Sequence, residues 1–232
     1  MTNRREFLGA AAAGLAAVVR HVDHLHGWPT PPAVPSGHAG PMATTSDVIF
    51  LRGLDRFGEV IDQVPTDGWD RPSPCEGWTA LDVLGHLSTA LGMGASLLRG
   101  EQPQWPTFDR PADLVTGDPV EFFRTAATAC RDALEGADLD QVMDTPMGPR
   151  TVADRLAFPA VDLFVHAWDI GRSVGIDVEV PDDVIEFAHG YIDPIPAAMV
   201  RGEGGAFGPE VPVPADATPT EAFLAWTGRE PR

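Results

Sequence analysis

Apolar residues recur at helical spacing along most of the chain, and they predict long helices joined by polar and proline-rich loops. The first helix follows Ser46, whose hydroxyl can cap it, and ends before Pro65. The second begins after Thr79 and reaches about Leu98, since Thr79 and Asp82 have the spacing of a capping box. Each of these helices carries one broad apolar face, which is typical of helices that pack on a shared core.

Two more long helices are predicted over about residues 118–136 and 151–174. A capping residue begins each of them, and Gly175 closes the second of the two. Pro159 lies inside that last helix, so we expect either a kink at this residue or a functional part that starts there.

The C-terminal part of the chain is predicted to hold two shorter helices, over about residues 181–191 and 219–226, separated by a glycine- and proline-rich stretch. The sequence has no internal repeat, no strand followed by a glycine-rich loop and a helix, and no long alternation of apolar and polar residues. The fold class is therefore predicted to be mainly α, a four-helix bundle with a small C-terminal extension.

The first 41 residues differ in composition from the rest, so we expect a folded domain over residues 42–232. A paired arginine at positions 4–5 precedes an apolar run of 12 residues, as in a twin-arginine export signal. That run is too short to cross a bilayer, so no stable membrane span is expected. Export by this route is expected if Met1 is the true start, whereas a start at Met42 would leave the protein in the cytoplasm.

Composition excludes several classes of function. Acidic residues outnumber basic ones 34 to 16, and the formal charge of −18 would repel nucleic acid and anionic membrane surfaces. Every basic residue is arginine, so neither a Schiff-base lysine nor a phosphate-binding P-loop lysine is present. The two cysteines, Cys75 and Cys130, are too few for a disulfide scaffold or an all-cysteine metal site.

Polar side chains recur on one face of the predicted fourth long helix. Asp162, His166 and Asp169 are spaced four and three residues apart, and the residues between them are large and apolar. A helix that is apolar on most sides is buried, so we expect this polar stripe to face the interior. Two interpretations remain open: a hydrogen-bonded Asp–His pair in the core, and a carboxylate–imidazole group that a divalent cation compensates.

A second inward-facing imidazole favours the metal interpretation. His86 lies in an apolar segment of the second helix, and Gly85 beside it leaves room for another helix or a ligand. His86, Asp162 and His166 would then form a three-ligand site with open positions, the pattern of a catalytic metal. Such a set also suits Fe(II), so iron remains an alternative metal.

Three segments together resemble a known family. The motifs WDRPSPCEGWT and DVLGHL lie within residues 69–87, DLFVHAWDI covers residues 162–170, and FLAWTGREP covers residues 223–231. In this order they resemble the mycothiol-dependent maleylpyruvate isomerase-like proteins of the DinB-like metal-binding superfamily. The resemblance, over residues 42–232, implies a DinB-like four-helix bundle. It also implies a divalent metal, zinc first and iron or nickel as alternatives, held by His86, Asp162 and His166. The isomerase has Glu where this chain has Asp162.

The resemblance also implies a reaction. The metal would bind a low-molecular-weight thiol such as mycothiol, and the thiolate would attack a small electrophilic substrate, giving isomerisation or S-transfer.

Asp169 either orients an imidazole from behind or pairs with Arg172. Cys75 lies just before the second helix, where the helix start would lower the pKa of its thiol. It is expected to be a buried structural thiol, with a nucleophile as the alternative.

Two other functions remain open from the sequence. The chain could bind a metal without turnover, as a stress or sensor protein, or it could be a non-haem Fe(II) oxidoreductase. Metal content and thiol-dependent turnover would separate these alternatives from the thiol-dependent enzyme.

Overall fold

The structure is a computed structural model that describes residues 45–104, 106–143, 149–201 and 205–231. The expected export signal and the expected domain boundary at residue 42 lie outside the described residues. In chain order the helices are α1 (Ser46–Ile61), α2 (Ala80–Leu98), α3 (Pro119–Glu135), α4 (Val152–Val174), α5 (Asp182–Ile192), α6 (Ala197–Val200) and α7 (Pro219–Trp226).

Two further elements connect these helices. A 3-10 turn, Pro111–Leu114, precedes α3. Between α3 and α4 lie two short strands, β1 (Val142–Met143) and β2 (Arg150–Thr151), which pair antiparallel with Val142 opposite Thr151. Each strand has only two residues, so it leaves no alternating pattern in the sequence, and the sequence did not predict this ribbon.

Local capping explains where the long helices begin. The hydroxyls of Thr79 and Thr151 accept the backbone N–H groups of Asp82 and Asp154, and each aspartate returns a bond to the capping residue. Gly175 ends α4 in the left-handed region, with φ 80°. These predicted boundaries are confirmed, and α4 runs through its internal proline as one continuous helix.

The predicted cap of α1 was wrong. Thr45 occupies the N-cap position without a side-chain bond, and Ser46 is the first helical residue. The Ser46 hydroxyl instead donates to the backbone oxygen of Ala153 at 2.8 Å and so ties α1 to the start of α4. The sequence shows only that the Ser46 hydroxyl could cap the helix. It does not show that a neighbouring helix offers this hydroxyl another acceptor.

The four long helices pack around one apolar core, and each has its main contacts with two of the others: α1 with α3 and α4, and α2 with α3 and α4. α1 and α4 approach closely at Gly53, where an added Cβ would lie 2.8 Å from the Cβ of Leu163. α5 packs on α4, and α7 packs on α5. The mainly α prediction is confirmed.

Helix α2 is the single helix in the described ranges that is long and apolar enough to cross a membrane. Length and composition alone do not separate a membrane span from a core helix. In this fold α2 packs against α3, α4 and the 3-10 turn, and it buries the polar side chains of Asp82 and His86. It serves here as a core helix of the helical assembly.

The expected close approach at Gly85 occurs, but the neighbour is the 3-10 turn rather than another long helix or a ligand. A Cβ on Gly85 would lie 2.3 Å from the backbone oxygen of Pro111. Asp82, one turn earlier on α2, accepts the backbone N–H of Ala112 at 3.1 Å and forms an ion pair with Arg110. The 3-10 turn is thereby fixed across α2 beside His86.

Candidate metal centre

Helices α2 and α4 bring His86, Asp162 and His166 together. The Nε2 atom of His166 lies 3.4 Å from Oδ1 of Asp162, and the Nε2 atom of His86 lies 3.9 Å from Oδ2 of the same carboxylate. One ligand atom from each residue falls within 4.8 Å of the other two. The two imidazole rings meet edge to face, with centroids 5.4 Å apart.

The three side chains are nearly enclosed by protein. Exposed fractions are 5% for His86, 7% for His166 and 17% for Asp162, so the carboxylate lies at the most open side of the group. Trp78 covers His86, with 5.3 Å between the ring centroids, and the sequence analysis did not identify this contact. The carboxylate of Asp162 is largely buried beside two imidazoles, so its negative charge requires a compensating positive charge.

The pKa values of Asp162 and His166 are both shifted toward the charged form of the side chain. Burial alone would raise the pKa of Asp162, but the imidazoles of His166 and His86 and the charge of Arg229 outweigh it, so the pKa is lowered. Burial would lower the pKa of His166, but the Asp162 carboxylate and the hydrogen bond to Asp169 outweigh it and raise the pKa well above its ordinary value.

Asp169 lies behind His166, on the side away from Asp162. Its Oδ2 is 2.8 Å from Nδ1 of His166. The imidazole therefore faces Asp169 with Nδ1 and Asp162 with Nε2. Arg172, the other partner considered for Asp169, lies exposed on α4, and the guanidinium that binds Asp169 belongs to Arg229.

Arg229 comes from the C-terminal segment after α7, and the sequence analysis did not identify it as a site residue. Its Nη2 donates to Oδ2 of Asp169 at 2.9 Å and its Nε donates to Oδ1 at 3.3 Å. Burial opposes the charge of Arg229, but Asp169 outweighs this and raises its pKa. Burial likewise opposes the charge of Asp169, and the charge of Arg229 with the bond to His166 lowers its pKa. The only signal in the sequence was the position of Arg229 within the closing motif.

Cys75 also contacts Asp169 and Arg229, on the side of His166 away from Asp162. Its Sγ lies 3.3 Å from Oδ2 of Asp169 and 3.9 Å from Nη2 of Arg229. The predicted lowering of its pKa was wrong: burial first, and the Asp169 carboxylate second, raise the pKa of the Cys75 thiol. Cys130 packs in the core, donates to the backbone oxygen of Leu91 at 2.9 Å and has its pKa raised to about 11 by burial.

Two donor groups therefore share His166. Cys75, His166 and Asp169 also bring their ligand atoms within 4.8 Å of one another. The guanidinium of Arg229 contacts Cys75 and Asp169 of this second group and supplies its positive charge. Among the described residues no arginine lies within 4.0 Å of the carboxylate of Asp162. The group of His86, Asp162 and His166 is therefore the donor group whose described ion-pair contacts include no arginine.

Comparison with known proteins gives three findings. The family model of the mycothiol maleylpyruvate isomerase N-terminal domain matches residues 50–171, which include every member of the two donor groups, while Arg229 lies beyond the matched range. Two uncharacterized proteins of Mycobacterium tuberculosis, from strains CDC 1551 / Oshkosh and H37Rv, are each 25% identical over 185 residues, 78% of this chain and 96% of theirs.

The fold is similar to the crystal structure of the mycothiol-dependent maleylpyruvate isomerase, with a TM-score of 0.51 at 14% identity over 61% of this chain. The match spans 65% of that enzyme's chain, slightly less than two thirds of its length. At this identity the likeness concerns the fold alone. Because the family model covers more than half of the sequence, the chain belongs to the mycothiol maleylpyruvate isomerase N-terminal domain family.

Proposed function

We propose that the chain is a thiol-dependent metalloenzyme in which His86, Asp162 and His166 hold a divalent cation. A low-molecular-weight thiol of the mycothiol type would bind at its open positions and react with a small electrophilic substrate, by isomerisation or S-transfer. The convergence of three ligand atoms within 4.8 Å, from two helices, carries this proposal. Family membership supports the thiol.

The donor set fits a divalent metal. Two imidazole nitrogens and one carboxylate oxygen are the ligands typical of catalytic zinc, and they also suit Fe(II) and Ni(II). Three protein ligands leave positions for water or a thiol. The carboxylate, 17% exposed, has two imidazoles as its described ion-pair partners, and a cation would compensate its charge.

The chemistry divides between the metal and the protein. A bound cation would favour the thiolate form of a coordinated thiol and so make it nucleophilic at neutral pH. Asp169 accepts the proton on Nδ1 of His166, which leaves Nε2 directed at the donor set. Trp78 covers His86 and limits the access of water. Cys75, with its raised pKa, stays a thiol and does not compete as a nucleophile.

Metal analysis tests the ligand set. We would measure zinc, iron and nickel in the purified full chain and titrate each metal into the wild type, His86→Ala and His166→Ala. His189→Ala is the matched control, because His189 contacts Asp193 and Trp226 on the C-terminal helices. We expect one metal per wild-type chain, retained in the control and lost in His166→Ala. Full occupancy in His166→Ala would overturn the ligand set.

Turnover tests the reaction. Metal-loaded protein would be incubated with mycothiol and either maleylpyruvate or a simple alkylating electrophile, with and without the thiol. Thiol-dependent product that His86→Ala does not form supports the proposal. A fully loaded protein without turnover would support the non-catalytic metal-binding alternative. Oxygen-dependent turnover that requires Fe(II) would support the oxidoreductase alternative.

A further inference from the structure

The C-terminal segment reaches the candidate metal centre through one side chain. Arg229 is 11% exposed, and its guanidinium binds both oxygens of Asp169, which is fully buried. A paired contact of this kind fixes the orientation of a carboxylate as well as its charge. Among the described residues, Arg229 is the only arginine in ion-pair contact with Asp169.

Asp169 in turn fixes the ring of His166. With Oδ2 at 2.8 Å from Nδ1, the imidazole has one preferred rotation, in which Nε2 faces Asp162 and the rings of His166 and His86 meet edge to face. A carboxylate behind a ligating histidine sets both the tautomer and the ring orientation. The chain of contacts therefore runs from Arg229 through Asp169 to the ligand nitrogen of His166.

The backbone before Arg229 is built to hold it in place. Gly228 has φ 92°, a conformation that favours glycine, and a Cβ there would lie 2.7 Å from the Cα of Gly208. The N–H of Gly208 donates to the backbone oxygen of Thr227 at 3.3 Å, and the N–H of Arg229 donates to that of Leu224 at 3.0 Å. This turn sets the direction in which the arginine side chain leaves the backbone.

We propose that Arg229 is a positioning residue of the metal centre. It holds Asp169, Asp169 holds the ring of His166, and metal affinity therefore depends on a side chain supplied 60 residues further along the chain from Asp169. This inference rests on the proposed function, since it assumes a cation at His86, Asp162 and His166. Arg229 touches neither the ligand atom Nε2 of His166 nor any other member of that donor set within ion-pair distance.

Metal affinity of Arg229 variants is the direct test. We would titrate zinc against a chromogenic chelator in the wild type, Arg229→Ala and Arg229→Lys, with Arg52→Ala as control. Arg52 pairs with Asp183 between α1 and α5, away from the site. Loss of the carboxylate behind a ligating histidine weakens metal binding about 10–100-fold, and Arg229 acts through that carboxylate, so we expect a loss of about 10-fold in Arg229→Ala. Lysine cannot bind both oxygens through a planar fork, so we expect a smaller loss in Arg229→Lys. Arg52→Ala should bind zinc like the wild type.

Chemical rescue separates positioning from a general role in folding. Guanidinium chloride at low millimolar concentration, far below denaturing levels, can fill the space left in Arg229→Ala and bind Asp169 again. We expect it to restore zinc affinity in that variant and to leave the wild type unchanged, while equal concentrations of tetramethylammonium chloride restore nothing. Affinity that guanidinium does not restore would overturn the positioning role.

A backbone variant reaches the same site without changing any polar group. Gly228→Ala should displace the turn against Gly208 and with it the guanidinium, so we expect weaker zinc binding and an altered visible spectrum of the Co(II)-loaded protein. Zinc affinity of Arg229→Ala within twofold of the wild type would overturn the inference while leaving the ligand set intact. A wild type that binds no divalent metal would instead overturn the proposed function.

Discussion

Asp169 and His166 are joined by a 2.8 Å contact between Oδ2 and Nδ1, one turn apart on the same helix. Because the other ring nitrogen of His166 faces Asp162 at 3.4 Å, one imidazole connects the fully buried carboxylate of Asp169 with the more open carboxylate of Asp162. These carboxylates differ in their surroundings. Asp169 has Arg229 and the thiol of Cys75, whereas Asp162 has only imidazoles among its described ion-pair partners. The difference supports the proposal that a metal cation binds on the Asp162 side of His166.

Asp169→Asn tests the importance of this buried pair for stability. The substitution leaves the charge of Arg229 nearly buried without its carboxylate, so we expect the free energy of unfolding to fall by about 3–5 kcal/mol. Urea denaturation checks this. Asp183→Asn is the matched control, since its pair with Arg52 is largely exposed and should cost less than about 1 kcal/mol. Equal losses in the two variants would contradict the prediction.

Metal binding should stabilise the fold. A ligand that binds only the folded state at 100 times its dissociation constant adds about 2.7 kcal/mol. We therefore expect zinc to raise the melting temperature of the wild type and a chelator to reverse the rise. His166→Ala should show no shift with zinc, because it lacks the imidazole that both donor groups share. A zinc-dependent shift of wild-type size in His166→Ala would place the metal elsewhere.

Gly85→Ala should destabilise the protein although alanine favours helices. The new Cβ would lie 2.3 Å from the backbone oxygen of Pro111, and such overpacking costs about 1–3 kcal/mol. Gly92→Ala on the same helix is the control. Nothing lies within 4 Å of its added Cβ, so we expect a gain of up to about 1 kcal/mol. Thermal unfolding of both variants checks the opposite signs.

Asp82 should make stability depend on pH in the acid range. Burial opposes its charge, but bonds from Thr79, Arg110 and the N–H of Ala112 outweigh it and lower its pKa. Its contribution is therefore fully present above the unfolded-state pKa of about 3.9 and is lost as the pH falls through the folded-state value. Asp82→Asn should cost about 1–3 kcal/mol at pH 7.

Urea midpoints at pH 7 and pH 3 check this prediction. The difference in unfolding free energy between the wild type and Asp82→Asn should shrink at pH 3, because the carboxyl is already largely protonated there in the unfolded chain. A difference that stays constant between the two pH values would show that the charge of Asp82 contributes nothing.

The sequence determined the helices because the signals for them are local. Capping pairs such as Thr79 with Asp82 and the left-handed Gly175 act within one helical turn, and apolar periodicity identifies the buried face of each helix. The spacing of Asp162 and His166 likewise placed them on one face of α4. Two local features were not predicted correctly. The two-residue strands are too short to leave a pattern, and the hydroxyl of Ser46 donates to an acceptor on another helix.

Tertiary structure alone decided what surrounds the candidate metal centre. Arg229 lies 60 residues from Asp169, and Cys75 lies 94 residues from it, yet both contact the same carboxylate. No local rule links residues so far apart, because their meeting depends on how α7 and the loop before α2 fold back onto α4. The same packing partly buries Cys75 and raises the pKa of its thiol, against the local effect of the helix start. Local spacing selected the candidate ligands, and long-range packing set their charge and orientation.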